Sequence, residues 1–246
     1  MKILVTILIA IVSTSSFGIL INMSEEAKKE CMEDFGGYLP DTRKQKGDLA
    51  IINTQNRAHD AWIRFGGNLF ANDIFIPVKY ECGKFDIKSP ELKGTLNLFI
   101  IDDKTMPLSL LAPEAKWAVL NIEKLYSDKT AFFEARVKKA VYRVIGELCG
   151  ASATKYNNCI FGPMASAEDL DQIPAVRLPL EYHERFAKYL PGIGITPYRM
   201  VRYDKAVEQG WAHSPTNKWQ QAVWDKVHQL PTEPIKIKPE TKKVTE

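Results

Sequence analysis

Histidine and cysteine are scarce in this chain of 246 residues, which contains four of each. The histidines are His59, His183, His213 and His228, and none lies four residues from another potential metal ligand. A catalytic zinc usually takes three imidazole or carboxylate ligands and keeps a fourth position open for water. The sequence therefore lacks a helix-borne zinc site. A site assembled from His183, His213 and Glu147 stays open as an alternative.

Long hydrophobic runs are also absent. The N-terminal apolar run Ile3–Val12 has about ten residues, which is short for a bilayer span. Lys2 precedes the run and the small residues of Ser13–Gly18 follow it, an order typical of a secretory signal peptide. We therefore predict that residues 1–18 are a signal peptide and that the protein is periplasmic or secreted. An uncleaved anchor, or translation from Met23, are the alternatives.

The chain has no large excess of positive or negative charge. The formal net charge is +3, and removal of residues 1–18 takes away one lysine and no acid, which leaves +2. So small a charge, with basic and acidic residues interspersed, argues against nucleic-acid binding and against membrane binding beyond the signal segment. Nucleotide and phosphate motifs are missing too, since the single Gly192-Ile193-Gly194 is a loop signal. A peptide or protein ligand remains as the expected partner.

The apolar pattern predicts an α/β (α+β) fold with a mixed, twisted sheet. Short apolar runs indicate strands and apolar residues at spacings of three and four indicate helices. Pro77 places its strand at an edge or bulge. We expect Asn53 or Thr54 to cap the first helix, whose apolar face carries Trp62 and Phe65. The expected order is strand 49–52, helix, strand 73–80, central strand 96–101, a loop containing Pro107 and Pro113, strand 117–122 and helix 129–149 with Phe132 on its apolar face.

The second half of the chain reads as mostly helical. Amphipathic periodicity predicts helices at 181–189, 196–208 and 218–230, and a Pro- and Lys-rich stretch after them predicts a flexible tail. The predicted organisation is a signal peptide at 1–18, an α/β domain at 19–172, a helical subdomain packed on it at 173–230, and a tail at 231–246.

The helix 129–149 and its continuation fit a known zinc-site pattern whose ligands are missing. Laid without gaps on H-E-x-x-H-x-x-G-x-x-H, the chain places Gly150 at the glycine, where the helix must turn sharply. Arg143 and Glu147 stand at the two helical histidines, Val144 at the general-base glutamate and Ala153 at the third histidine. Arginine has no lone pair for a metal, and a single carboxylate does not hold zinc.

The same stretch resembles the archaemetzincins, a branch of the metzincin zinc peptidases. Their pattern continues as H-C-x4-C after a lead-in of the type R-V-x-K-E-A, and this chain has 136–140 as the lead-in and Cys159 at the second cysteine. Residues 117–125 resemble the family's edge strand and the segment after it, and Met164 stands near the place of the Met-turn. The resemblance covers about residues 95–172. It implies a metzincin-like upper subdomain, and since no cysteine follows Cys159, both zinc sites of the family look lost.

Two functions follow from this pattern. The first is a non-catalytic pseudo-metallopeptidase, without zinc, in which Arg143 and Glu147 form a salt bridge and the old groove binds a peptide as an added strand. The second is a hydrolase with a non-standard site that uses Glu147 and a histidine from the C-terminal half as acid and base. A third interpretation treats the match as chance in an unrelated α/β binding module.

The four cysteines can pair in three ways. Proximity along an exported chain favours a Cys149–Cys159 disulfide, with Cys31–Cys82 as the second bond. In a reducing compartment all four are expected to be inert, buried thiols.

Overall fold

The structure is a computed structural model that describes residues 37–54 and 57–228. The predicted signal peptide 1–18, the predicted tail 231–246 and Cys31 lie outside these residues. In the described part of the chain, no helix is long and apolar enough to cross a membrane.

Strands and helices alternate through the first part of the described chain. The strands are β1 (Tyr38–Asp41), β2 (Leu49–Asn53), β3 (Val78–Cys82), β4 (Leu96–Ile101), β5 (Ser109–Ala112), β6 (Trp117–Asn121) and β7 (Arg199–Arg202). The helices are α1 (Asp60–Ile74), α2 (Thr130–Leu148), α3 (Leu180–Tyr189), α4 (Tyr203–Glu208) and α5 (Lys218–His228).

A five-stranded mixed sheet with the order β3-β2-β4-β6-β5 forms the centre of the fold. Strands β2, β3, β4 and β6 are parallel, and β5 is antiparallel to β6. Strand β4 is buried along its whole length, as its continuous apolar run predicted. Strand β3 lies at one edge, as Pro77 predicted, and β5 lies at the other.

Helices α1 and α2 pack together on one face of the sheet. Their backbones come close because α1 carries glycine at the crossing: a Cβ on Gly66 would lie 2.5 Å from the carbonyl oxygen of Lys138. Because Gly146 of α2 has no side chain, the ring of Phe161 can pack directly against the helix there. The buried members of this main core include Ile63, Phe70, Leu98, Leu120, Val137, Val141, Val144, Ile145, Leu148, Phe161, Tyr182 and Phe186.

The opposite face of the sheet carries a smaller apolar cluster. Its buried members come from β2, β4 and β6, and within the described residues Phe85 and Met106 from two loops pack against it. The ring centroid of Phe85 lies 5.0 Å from that of Phe99 and 5.9 Å from that of Trp117. Side chains from these two loops therefore cover part of this face.

Several predicted helix details are wrong. Helix α1 begins at Asp60 and its N-cap is His59, whose Nδ1 accepts a hydrogen bond from Ala61 N at 3.2 Å, so neither Asn53 nor Thr54 caps it. The strand predicted at 73–80 begins only at Val78, because α1 continues to Ile74. Phe65 and Phe132, both assigned to apolar faces, are exposed.

The edge of the sheet was also predicted wrongly. Residues 117–122 were expected to form the edge strand, but β6 lies between β4 and β5. The true edge is β5, four residues placed by the sequence in a loop between Pro107 and Pro113. Trp117–Asn121 is buried throughout, which fits a strand with neighbours on both sides.

The described chain separates into two compact units, residues 41–199 and residues 37–40 with 200–228. Helix α3 contributes Tyr182 and Phe186 to the main core and so belongs to the larger unit. The units thus divide the chain at different places from the predicted boundary after residue 172.

The smaller unit has its own apolar cluster. It contains strands β1 and β7 in a two-stranded sheet, and Tyr203, fully buried, donates a hydrogen bond to the carbonyl oxygen of His213 at 2.9 Å. The helix predicted at 196–208 is wrong in its first half, because residues 199–202 pair with β1 and only Tyr203–Glu208 is helical.

Gly146→Ala is expected to destabilise the protein by about 1–3 kcal/mol, because overpacked cores must shift. The new methyl group would meet Phe161 Cε1 at 2.3 Å and Cζ at 2.4 Å. Urea unfolding of the full chain measures the change. Gly192→Ala is the matched control, since a Cβ there meets nothing within 4 Å. Equal stability of the two variants would show that Phe161 does not fill the space over Gly146.

Candidate functional site

Helix α2 ends in the sharp turn that the zinc-site pattern predicts. Gly150 has φ +93°, in the left-handed region, and Gly150 N and Ala151 N donate to the carbonyl oxygens of Glu147 (3.0 Å) and Gly146 (2.9 Å). These two bonds form a Schellman motif, which satisfies carbonyl groups at the helix end. A Cβ at Gly150 would also lie 2.9 Å from Tyr189 Cγ. Glycine is therefore required by both conformation and space.

The guanidinium of Arg143 links α2 to the loop that follows it. Arg143 Nε lies 2.8 Å from Glu147 Oε1, so the predicted salt bridge is confirmed. Its Nη1 donates hydrogen bonds to the carbonyl oxygens of Ile160 at 2.9 Å and Gly162 at 2.8 Å. Only 10% of the Arg143 side chain and 19% of the Glu147 side chain are exposed. We call these two residues the Arg143–Glu147 pair.

Burial dominates the electrostatics of Glu147. Desolvation raises the pKa of its carboxyl group, and the charge of Arg143 and the hydrogen bond from it oppose that rise. A buried ion pair gains little net stability over an apolar pair, but removal of one partner leaves an uncompensated charge. Replacement of one member of the pair is therefore expected to lower the stability of the fold more than replacement of both.

The other two positions of the pattern carry no metal ligand. Val144 is 2% exposed and belongs to the main core, and Ala153 lies exposed on the loop. Arg143 is a permanent cation without a lone pair for a metal, which leaves Glu147 as the one potential ligand in the pattern. These residues do not fit a zinc ion.

The histidines of the described chain serve other contacts. His59 caps α1, and His213 Nδ1 lies 2.8 Å from the Ser214 carbonyl oxygen. His183 is exposed; burial raises the pKa of the nearby Asp73 carboxyl group, and the hydrogen bond from Tyr142 and the charge of His183 oppose that rise. No group of three or more His, Cys, Asp or Glu side chains that could hold a metal exists among residues 37–54 and 57–228. The alternative site from His183, His213 and Glu147 is therefore not found there.

The loop after α2 is held by packing and backbone bonds. Thr154 N donates to the carbonyl oxygen of Phe161 at 2.9 Å, and the Phe161 ring lies 4.7 Å from that of Tyr182. Met164, predicted near the place of the Met-turn, is partly buried against the main core. The loop is thus fixed on one side by Arg143 and on the other by aromatic contacts.

The predicted Cys149–Cys159 disulfide is not formed in the structure, where both residues are free thiols. Cys149 is fully buried at the end of α2, and burial strongly raises the pKa of its thiol. Cys159 is partly exposed on the loop, so the two residues occupy different surroundings although they are close in sequence. Cys82 is an exposed free thiol, and its predicted partner Cys31 lies outside the described residues.

The outer side of β5 presents unpaired backbone groups. Asn121 N donates to the Leu108 carbonyl oxygen at 2.8 Å, and antiparallel alternation then directs Leu110 and Ala112 towards β6. Ser109 and Leu111 accordingly direct their N–H and C=O groups away from the sheet. Within the described chain, no backbone bond engages them. This row of donors and acceptors can pair with an extended peptide.

A cavity of about 410 Å³ lies next to the turn between β5 and β6. Pro113 and Lys116 line it from the turn, and Tyr189 and Lys188 line it from the end of α3. A second cavity of about 750 Å³ is lined by Cys159 and Ile160 of the loop that Arg143 holds. Concave surface thus exists beside both the edge strand and the loop.

Sequence reasoning missed two parts of this site. The carbonyl acceptors of Ile160 and Gly162 are backbone groups, so no residue type identifies them. The edge strand was hidden because β5 has four residues and lies between two prolines. The run Leu108-Ser109-Leu110-Leu111 is the signal that indicates a strand here.

Arg143→Met is expected to destabilise the fold by about 3–5 kcal/mol near neutral pH, because it leaves Glu147 buried and unpaired. The loss should shrink at acidic pH. Removal of Arg143 raises the folded-state pKa of Glu147 further, so the folded state binds more protons than the unfolded state, and stability falls as pH rises above the unfolded value. Urea unfolding at several pH values measures this.

Arg143→Met/Glu147→Gln is the matched control for that experiment. It lacks the titrating carboxyl group, so its stability relative to the wild type should not show the extra fall with rising pH. An equal pH dependence in the single and double variants would mean that Glu147 is not the group left unpaired.

No family model matches the chain, and no curated protein matches it in sequence. Solved structures do match. The structure of archaemetzincin from Methanopyrus kandleri superposes with a TM-score of 0.50 at 11% identity, over 58% of this chain and 95% of that chain.

Two further structures match with lower TM-scores. They are archaemetzincin from Archaeoglobus fulgidus complexed with malonate (0.43, 17% identity, 56% of this chain and 99% of that one) and a zinc-dependent peptidase from Methanocorpusculum labreanum (0.42, 12% identity, 56% and 99%). The fold assignment rests on the first match, whose coverage exceeds the stretch 95–172 that carried the sequence resemblance. This chain has an archaemetzincin-like fold in which Arg143, Val144, Glu147 and Ala153 replace the residues of the zinc pattern.

Proposed function

We propose that this protein is an exported, non-catalytic member of the archaemetzincin-like fold that binds an extended peptide along β5. The observation that carries the proposal is the Arg143–Glu147 pair. It occupies the two helical ligand positions of the zinc pattern, and its guanidinium is committed to two loop carbonyls. A buried, bonded cation at that position opposes the binding of a metal cation there.

The edge of the sheet supports the binding part of the proposal. A peptide that pairs with Ser109 and Leu111 would extend the sheet by one strand, which is a common mode of peptide recognition. Leu111 is 39% exposed at this edge and offers an apolar contact. The cavity lined by Lys116, Lys188 and Tyr189 offers room for a side chain next to the strand.

Export is the third part of the proposal and rests on the N-terminal sequence. The order of Lys2, the apolar run Ile3–Val12 and the small residues before Gly18 is that of a signal peptide. A periplasmic or secreted location fits a peptide-binding role in which no membrane or nucleic-acid contact is required.

A hydrolase that uses Glu147 is the second candidate function. The observation that favours it is the raised pKa of that buried carboxyl group, since a general acid needs a pKa nearer to neutrality. Assay of the purified chain against denatured casein decides between the two. The proposal predicts no cleavage, whereas cleavage that Glu147→Gln abolishes would establish the hydrolase.

Leu111→Pro is expected to weaken peptide binding at least about tenfold, since proline removes the outward N–H donor of β5. Peptides for the assay are selected on the full chain from a library of random dodecamers, and fluorescence anisotropy measures their affinity. Because the Leu111 N–H points away from β6, proline at an edge position leaves the existing sheet bonds intact.

Leu111→Ala separates the backbone from the side chain, because it keeps the N–H and shortens the apolar contact. It should retain more affinity than the proline variant. If selected peptides bind the proline variant as tightly as the wild type, or if selection yields no binding peptide, strand addition at β5 is wrong.

A further inference from the structure

A cavity of about 980 Å³ lies at the carboxyl end of the parallel strands. Its lining includes Asn53, Cys82 and Ile101, the last residues of β2, β3 and β4. Open parallel sheets bind their ligands outside the carboxyl ends of the strands, where successive connections leave in opposite directions. Here the chain leaves β2 towards β3 on one side and leaves the neighbouring strand β4 towards β5 and β6 on the other, which creates such a crevice between the ends of β2 and β4.

This cavity is separate from the site described above. Neither Arg143, Glu147 nor any residue of β5 lines it, and its strands lie on the β3 side of the sheet. Its volume is within the range of small-molecule sites, which are typically about 300–1,000 Å³.

Apolar side chains form part of the cavity wall. Phe85 packs against Phe99 and Trp117 of the sheet, so its position is fixed by the apolar cluster beneath it. Met106 packs against the same cluster, and Ile87 is 52% exposed beside it. The exposed Ile87 side chain and the fixed Phe85 ring therefore offer apolar surface that the apolar part of a ligand can cover.

Three carboxylates line the same cavity, and each has one oxygen that is not hydrogen-bonded among the described residues. Asp86 accepts the Lys88 N–H through Oδ1, and Asp103 accepts Thr105 and Met106 through Oδ1. Asp102 accepts Arg57 through Oδ2. The oxygens Oδ2 of Asp86, Oδ1 of Asp102 and Oδ2 of Asp103 remain as acceptors.

The charge of the lining determines the class of ligand. Lys84 is the basic residue of the described lining, against three aspartates of which Asp102 is paired with Arg57. The described residues do not form a group that could hold a metal ion. Carboxylate groups and aromatic rings both attract cations, so this lining suits an organic cation.

We propose that this cavity binds a small organic cation with an apolar body, such as an amine or guanidinium compound, with the charge at Asp86 and Asp103 and the apolar body against Phe85, Ile87 and Met106. This ligand is independent of the peptide proposed for β5, and either proposal can fail alone.

Fluorescence titration of the full chain with dansylcadaverine tests the proposal. Its matched control is dansyl-6-aminohexanoate, which has the same fluorophore and a chain of similar length that ends in a carboxylate. We expect saturable binding of the amine with a Kd on the order of 10–100 µM, and binding of the acid at least about tenfold weaker. Absence of saturable amine binding, or equal binding of the two probes, overturns the proposal.

Asp86→Asn/Asp103→Asn removes two charges but keeps the Oδ1 acceptors that hold the two turns. It should weaken amine binding about tenfold, whereas Glu134→Gln/Glu184→Gln, the same charge change on helices α2 and α3, should leave the affinity within about twofold. Lys84→Gln removes the opposing charge from an exposed side chain and should tighten binding about twofold. An unchanged affinity in both cavity variants overturns the proposal, and Lys84→Gln alone decides if the double variant does not fold.

Discussion

A single guanidinium group sets the structure of the region where the zinc pattern would place a metal. Arg143 is a buried cation with one carboxylate partner in its own helix and two carbonyl acceptors in the loop beyond it. A metal ion with ligands from a helix and the following loop would hold the same two elements together. The Arg143–Glu147 pair thus performs the structural part of that role, and it does so with hydrogen bonds instead of coordination bonds.

The remaining features of the region depend on this link. Because Gly150 turns the chain sharply, the loop returns along α2 and brings the Ile160 and Gly162 carbonyl oxygens to Arg143. Phe161, between those two residues, then packs on Gly146 and fills the space next to α2. Loss of the guanidinium would therefore leave the loop held by its aromatic contacts and its backbone hydrogen bonds. The edge strand β5 and the cavity at the carboxyl end of β4 belong to the sheet, and neither requires the pair.

Local sequence signals predicted those parts of the fold that local physics determines. The continuous apolar run of β4 indicated a central strand, Gly150 indicated a left-handed helix end, and the spacing of Arg143 and Glu147 indicated a salt bridge. Each of these depends on one residue type or on one periodicity. The mixed α/β class followed from the order of such elements, and the resemblance to archaemetzincins followed from the residues around helix α2, including Gly150 and Cys159.

Other parts depend on partners that the sequence does not identify. Strand β5 pairs with β6, and β7 pairs with β1, although the sequence predicted a loop at the first place and a helix from residue 196 at the second. The cap of α1 is His59, since the chain after β2 continues past Asn53 and Thr54 before it turns into the helix. The acceptors of Arg143 are carbonyl groups, which every residue carries. For the two strands and for Arg143, a tertiary contact that is absent from any local pattern decided the outcome.

The most direct test of this interpretation is the zinc content of the purified full-length protein after exchange into metal-free buffer, measured by elemental analysis together with its unfolding midpoint with and without added zinc. If the Arg143–Glu147 pair has replaced the metal, the folded protein will contain well under one zinc per chain, and its midpoint will not change when zinc is added. About one zinc per chain, with a midpoint that rises with zinc and falls with a chelator, would contradict it.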